Sequence, residues 1–306
     1  MTDTKILVLG HPTDAHVAHM QSALEQAGAQ VRCLETHHFP TQLRFSWQAD
    51  TQQGQIAWED GEVWMLQEIH RIFWRQITGV AIPDLEDKQQ QWIAYNDAMS
   101  LLRSLIQAQP SQWVNTWEAY QFHKEKPLQL SAVKQLGVHI PKTLVSNDPQ
   151  QITAFVDTLD QVIFKPVYGG AHAQLVSPDH LDPQRLQLAL RLSPATFQAY
   201  IPGTNIRTYV IGDAVFSAEI RSPSVDFRED QAAELIPVDL PAAIHTQSLA
   251  IATALKLKWT AIDWRLTPAQ NYTFLEANPS PMFIYFEQQT GHPITSTLVH
   301  LLLEPS

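Results

Sequence analysis

The 306-residue chain has a single cysteine, Cys33, so no disulfide framework can form and a cytosolic setting is the natural expectation. Cys33 stands in the apolar run Val31-Arg32-Cys33-Leu34, where a small core residue is the ordinary reading and a nucleophile the rarer one. Positive charge is also scarce. Twenty Lys and Arg against 31 Asp and Glu leave a net charge of -11, which offers no electrostatic footprint for nucleic acid or an anionic membrane. Any anionic ligand must be met by a local cluster of cations. Long hydrophobic runs are missing too: the apolar opening at residues 6–9 is too short for the core of a signal peptide, and no run reaches bilayer length. The loop after Gly10 reads His11-Pro12-Thr13-Asp14 and lacks the glycine pattern of a dinucleotide fingerprint. Repeats and low-complexity tracts are absent.

What is present alternates strand and helix. Residues 5–10 suit a buried parallel strand. Asp14 can cap a helix to about Gly28, with Val17, Met20, Leu24 and Ala27 at helical spacing, and residues 30–35 form a second strand, a βαβ opening. Residues 43–69 read as hairpins turning at Gln53-Gly54 and Asp60-Gly61. A strand at 71–75 and a helix over 85–107 follow, the helix carrying Trp92, Tyr95, Met99, Leu102 and Ile106 on one side, until Pro110 stops it. Beyond Asn115 come a helix from Lys126 ending at Gly137, a strand ending at Lys165 before Gly169-Gly170, and a strand through Gln198-Ala199-Tyr200-Ile201. A hairpin turns at Gly212-Asp213, and two strands, one with Ala261-Ile262-Asp263 and one with Leu275-Glu276-Ala277-Asn278, precede a last helix.

Residues two apart on a strand share a face, so Glu276 and Asn278 project together. If the strand bearing Asp263 pairs with theirs, three hard oxygen donors converge, a set that suits Mg2+; a loop cap or a satisfied polar pair is the plainer alternative. Lys126, and Lys165 followed by glycines, could meet phosphate oxygens, although each signal alone is weak.

The order of these pieces resembles a known family. Lys126 with its step to Gly137, Ile140-Pro141-Lys142-Thr143, Phe164-Lys165-Pro166-Val167-Tyr168-Gly169-Gly170, the stretch from Phe197 through Arg207 to Gly212, Ile220 to Arg228, Ile262-Asp263-Trp264 and Leu275 to Pro281 look like the ATP-grasp carboxylate–amine ligases. The C-terminal half is closest to the RimK-type enzymes, and the first third, with Phe39-Pro40-Thr41-Gln42-Leu43 and Ile72-Phe73-Trp74-Arg75-Gln76, resembles the N-terminal domain of microviridin-type (graspetide) peptide ligases.

The resemblance implies an α/β chain with an ATP-grasp fold and an N-terminal pre-ATP-grasp α/β domain. The expected division is residues 1–112, a central subdomain at 113–197 and a C-terminal subdomain at 198–306, with ATP between the last two. It implies that Lys126 and Lys165 contact ATP phosphates, that Gly169 and Gly170 belong to a lid, and that Gln198, Ala199, Tyr200 and Ile201 read the adenine edge. Arg207, Arg221 and Arg228 would be the catalytic cations, Arg207 matching the Arg of the family's Asp-Ile-Arg and Arg221 and Arg228 lining the transferring phosphoryl group. Asp263, Glu276 and Asn278 would hold Mg2+, with Mn2+ as a substitute. Asn205, where the family often has Asp, and Ala171-His172-Ala173, where it has a further Gly or Ser, are departures.

The implied activity converts a carboxylate to an acyl phosphate that an amine or hydroxyl then attacks. A precursor peptide closed into a ring is the favoured substrate. An amino acid added to a small molecule or protein C-terminus is the alternative, and a non-catalytic nucleotide-binding module belongs to a different class. No nucleic-acid or membrane partner is expected, and a homodimer is a candidate assembly. The histidines His11, His16 and His19 near the first helix, and His37-His38, form a conceivable metal site, with a solvated helix face as the plainer reading for His16 and His19. His172 is a candidate proton relay and Arg75 a candidate for the acceptor pocket, while Trp64, Phe73 and Trp74 are core candidates.

Overall fold

The computed structural model describes residues 4–109, 112–169, 172–222 and 233–305, which divide into two compact units. The first comprises residues 1–120, 256–259 and 280–306; the second comprises 121–255 and 260–279.

In the first unit, β1 (Lys5–Leu9) is buried on both faces, α1 (Ala15–Gln26) follows, and β2 (Gln30–Leu34) pairs parallel with β1. Asp14 caps α1 by accepting from the His16 N–H at 2.8 Å, a contact worth about 1 kcal/mol. Val17, Met20 and Leu24 are the buried stripe of α1. Three antiparallel strands, β3 (Arg44–Gln48), β4 (Gln53–Ala57) and β5 (Val63–Met65), make a small separate sheet. Gly61 turns at φ +88 as expected, but Gly54 does not turn. It lies inside β4 because a Cβ there would meet Leu66 Cδ1 at 2.6 Å and Trp47 Cε3 at 2.8 Å; the chain reverses before it, around Gln52.

Next come β6 (Ile69–Trp74), α2 (Lys88–Ala108) and the short β7 (Trp113–Val114), completing the parallel order β2-β1-β6-β7. The side chain of Asp87 starts α2 three residues later than the periodicity predicts. Its buried stripe is Ala98, Leu102, Leu105 and Ile106, so Trp92 and Tyr95 are exposed rather than core. Trp64, Phe73 and Trp74 are buried as expected.

The helix α3 (Trp117–Lys124) spans the boundary, and the second unit continues with α4 (Lys126–Gln135), β8 (Thr143–Ser146), α5 (Pro149–Val156), β9 (Val162–Pro166), β10 (Gln174–Leu175), α6 (Pro183–Leu192) and β11 (Ala195–Ala199). These strands form an antiparallel sheet in the order β10-β9-β11-β8. Its core is Ile152, Val162, Leu186, Leu190 and Phe197. A second antiparallel sheet follows: β12 (Thr204–Ile211), β13 (Ala214–Arg221), β14 (Glu234–Pro237), then α7 (Ala242–Ala254), β15 (Trp259–Leu266) and β16 (Tyr272–Asn278), in the order β14-β13-β12-β15-β16. Gly212, at φ +56, makes the expected two-residue hairpin between Ile211 and Ala214. β16 ends at Asn278 because Pro279 has no N–H to offer a ladder.

The last helices, α8 (Ile284–Thr290) and α9 (Ile294–Leu303), return to the first unit, where α9 packs on α1 and β6. Residues 280–306 therefore group with the N-terminal domain rather than with the C-terminal subdomain expected at 198–306, because their apolar face is buried against the βαβ core. Among the described residues no helix is long and apolar enough to cross a membrane.

Candidate active site

The second unit holds a cavity lined, among others, by Lys126, Lys165, Gly169, Gln198, Tyr200, Ile201, Asp263 and Glu276. Three adjacent strands build its charged wall. Asp263 on β15 lies directly opposite Glu276 on β16, and Arg207 comes from β12, the neighbour of β15 on its other side. Arg207 grips Asp263 through two parallel bonds, Nε to Oδ1 and Nη2 to Oδ2, each 2.8 Å. Burial works against the charge on Arg207, but the carboxylate of Asp263 outweighs it and raises the pKa above its ordinary value.

Lys126, at the start of α4, donates to Glu276 Oε2 at 3.0 Å. Each carboxylate is thus paired with a cation.

The bulge in β16 matters here. The register steps from Asp263↔Glu276 to Trp264↔Phe274, so Leu275 is the extra residue and lines the cavity beside Glu276. Strand alternation alone would have sent it to the other face. Asn278 follows two residues after Glu276, opposite Ala261, and is not part of the cavity lining.

On the opposite wall, Lys165 of β9 sits across from Thr196 of β11, and both face the cavity. Gln198 is buried and donates to Thr143 Oγ1 at 2.9 Å. The Ala199 N–H is taken by the Lys142 carbonyl and the Tyr200 N–H by the Gln161 carbonyl, both at 2.9 Å. Among the described residues no hydrogen bond engages the Ile201 N–H, which leaves it available to a ligand's ring nitrogen.

Arg221 stands apart. Its register partner is Glu234, it belongs to the opposite alternation of β13 from Ala218, the partner of Arg207, and its exposed head pairs with Glu219 at 3.1 Å. His172 is exposed and does not line the cavity. Gly170 and Arg228 lie outside the described residues.

Several residues escape the sequence reading. His123, one turn before Lys126, donates Nδ1–H to the Ala277 carbonyl at 2.9 Å, so Nε2 can accept from Lys126 Nζ at 3.3 Å. Burial, aided by the charge of Lys126, pushes the pKa of His123 down to about 4 and keeps it neutral. Gln129 clasps the backbone of Ala277 with both amide atoms, at 2.9 and 3.0 Å, and so fixes the strand beside Glu276. Arg265 donates to the Ile201 carbonyl at 2.8 Å, to Asn205 Oδ1 at 2.9 Å and to Tyr200 Oη at 3.3 Å. Asn205 therefore supplies an ordering hydrogen bond despite lacking the family's carboxylate. Spacing could have found Gln129, three residues after Lys126, and Arg265, two after Asp263.

In the first unit Arg75 is engaged internally, with Asp14 Oδ2 at 3.0 Å and the Ser280 carbonyl at 2.8 Å. His16 is not on a solvated face: it is buried, and its Nε2 accepts from the Phe283 N–H at 3.0 Å. The Cys33 thiol is pushed up to about 12 by burial and by Glu35, which agrees with its reading as a core residue.

Two antiparallel sheets flanking a cavity with lysines from each side and carboxylates on one define an ATP-grasp protein. Residues 123–302 match the RimK-like ATP-grasp domain model, more than half of the sequence, and the chain belongs to that family. Residues 5–121 match the MvdD pre-ATP grasp domain. Among solved structures, the macrocyclase MdnC from Microcystis aeruginosa MRC, bound with the precursor peptide MdnA, is 25% identical with a TM-score of 0.85, covering 99% of this chain and 100% of that one. The ATP-grasp ligase PsnB complexed with a minimal precursor is 25% identical, TM-score 0.84, with 98% of each chain covered. PsnB with a phosphomimetic precursor variant, Mg and ADP is 23% identical, TM-score 0.83, with 99% of each covered. No protein of curated function matches the sequence.

Proposed function

We propose that this chain is an ATP- and Mg2+-dependent, ADP-forming ligase that activates a side-chain carboxylate of a precursor peptide and closes it onto an amine or hydroxyl of the same peptide. The observation that carries the reading is the full-length likeness to a peptide macrocyclase, which includes the pre-ATP-grasp part as well as the nucleotide-binding part.

The donor types suit the ion. Asp263 and Glu276 line the cavity with hard oxygens of the kind Mg2+ prefers, and Asn278, two residues beyond Glu276 on β16 but outside that lining, would be the third donor. When bound, the ion supplies charge neutralisation at the transferring phosphoryl group. The protein's own residues prepare the rest. Lys126 and Lys165 would meet phosphate oxygens from opposite walls of the cavity, and Lys126 leaves Glu276 to do so. His123 stays neutral and offers Lys126 an acceptor without competing for the phosphate. Arg207 fixes the Asp263 carboxylate through two bonds, and a guanidinium so placed favours the negative charge of phosphoryl transfer. The Ile201 N–H and the Tyr200 carbonyl would read the adenine edge, with Arg265 fixing the segment. Gly169 with Gly170 would cover the phosphates. Arg221, on the other face of β13, is left out of the lining of the phosphoryl group, and Arg228 keeps that role only as the family resemblance implies.

The expected boundary between residues 113–197 and the segment from 198 onward is kept as the functional one, since the two sheets of the second unit supply the two walls of the cavity. The single, unreactive cysteine supports a cytoplasmic site of action, and the exposed Trp92 and Tyr95 on α2 support a homodimer.

The test is a mass measurement. Incubation with ATP, Mg2+ and a panel of peptides rich in Glu, Asp, Ser, Thr and Lys should give products lighter by one water per ring, with Lys165→Met inactive. Gain of an amino-acid residue instead would select the alternative favoured by the RimK-like match. Nucleotide binding without magnesium-dependent phosphate release on any substrate would overturn both in favour of a binding module.

A further inference from the structure

The structure gathers a side-chain cluster in the first unit that the ligase chemistry does not use. His11 follows the end of β1, Glu35 follows the end of the adjacent parallel strand β2, and His37 belongs to the short 3-10 turn Thr36–His38 just after it. One ligand atom from each of the three lies within 4.8 Å of the other two. Among the described residues it is the one group of this kind.

We propose that His11, Glu35 and His37 form a binding site for a first-row transition-metal ion of the Zn2+ class.

Four observations carry this. The donors are two imidazoles and a carboxylate, the set that holds zinc in open, three-ligand sites and suits borderline ions better than Mg2+ or Ca2+. The Glu35 side chain is only 18% exposed, yet among the described residues no hydrogen bond engages its carboxylate. Its neighbours are His37 Nε2 at 3.7 Å and His38 Nδ1 at 3.8 Å, too far to be hydrogen bonds. A carboxylate so largely withdrawn from water is favoured when a cation joins it.

Third, the rings of His11 and His37 lie 5.1 Å apart, and Thr13 fixes the His11 ring, whose Nδ1 accepts from the Thr13 N–H at 3.2 Å and lies 2.6 Å from Thr13 Oγ1. Fourth, the cluster sits at the carboxyl ends of neighbouring parallel strands, where open parallel sheets present their crevices. Tetrahedral ligation with bonds of about 2.0–2.1 Å needs ligand atoms roughly 3.3 Å apart. His38, whose ring is 4.2 Å from that of His37, is the nearest further nitrogen donor.

The site is read with Co2+, whose visible absorption reports tetrahedral ligation, added to the full chain with excess Mg2+ and ADP occupying the nucleotide cavity. Wild type should give the band. His11→Ala and His37→Ala should weaken Co2+ binding at least tenfold, Glu35→Gln should weaken it comparably with little change in shape, and Thr13→Val should cost about tenfold through the orientation of His11. Circular dichroism checks that each variant is folded. A second readout needs no variant: in wild type, Zn2+ should protect His11 and His37 from carbethoxylation by diethylpyrocarbonate, while exposed His300 stays reactive. The proposal is overturned if wild type binds no Co2+ at millimolar concentration, if the band survives loss of both histidines, or if Zn2+ leaves His11 and His37 as reactive as before.

Discussion

Replacing Asp263 by Asn separates what the carboxylate does for the fold from what it does for the reaction. Its partner Arg207 is bonded by two contacts of 2.8 Å, and the two side chains are only 19% and 14% exposed. An amide keeps one acceptor but cannot balance the guanidinium. Stranding one member of a buried ion pair costs about 3–5 kcal/mol. Glu276, which also bears electrostatically on Arg207, offsets part of that, so the expectation is the lower end, about 3 kcal/mol. For a unit of this size that is a fall of roughly 6–12 °C in melting temperature, or a matching drop in the urea midpoint followed by circular dichroism.

Adding Arg207→Met removes the orphaned charge and should restore most of the stability, since replacing both members of a buried pair is often nearly neutral. Magnesium-dependent phosphate release should be abolished in the single variant and stay abolished in the double. Two results would refute the reasoning: an Asp263→Asn chain as stable as the parent, or a double variant that regains activity, which would mean that no carboxylate is needed at position 263.

Three further outcomes follow from the same geometry. His123 is neutral in the fold with its pKa lowered to about 4, whereas the unfolded chain takes up the proton near 6.5. Its contribution, about 3 kcal/mol, is complete above pH 6.5 and lost as pH falls toward 4. Urea titrations at pH 7.5 and 4.5 should show a steeper loss for wild type than for His123→Gln; equal slopes would count against it. Gly203 has φ +138, and a Cβ there would lie 1.9 Å from the Leu266 carbonyl oxygen, so Gly203→Ala should lose about 3 kcal/mol or more or fail to accumulate as soluble protein, and an unchanged unfolding midpoint would contradict this. Arg265→Lys keeps the charge but loses the fork that holds Ile201, Asn205 and Tyr200; a fluorescent nucleotide should bind about tenfold more weakly, and unchanged affinity would exclude a role for the Arg265 contacts in placing that segment.

The sequence by itself determined the period of each element and the order of the chemical groups. Buried runs became β1, β15 and β16, the helical stripe of Val17, Met20 and Leu24 became α1, and Lys126, Lys165, Asp263 and Glu276, singled out by residue type and order, line one cavity. Only the tertiary structure decided which of those groups meet. The pairing of Arg207 with Asp263 and of Lys126 with Glu276 depends on the order β12-β15-β16 and on the start of α4 facing β16, which are relations between segments far apart in the chain. Local pattern cannot specify them. The Leu275 bulge, the reversal around Gln52 rather than Gly54, the burial of His16 and the meeting of His11 with Glu35 and His37 are of the same kind. Each is settled by what packs against a residue rather than by its neighbours in sequence, because burial and cross-strand register are set by non-local contact.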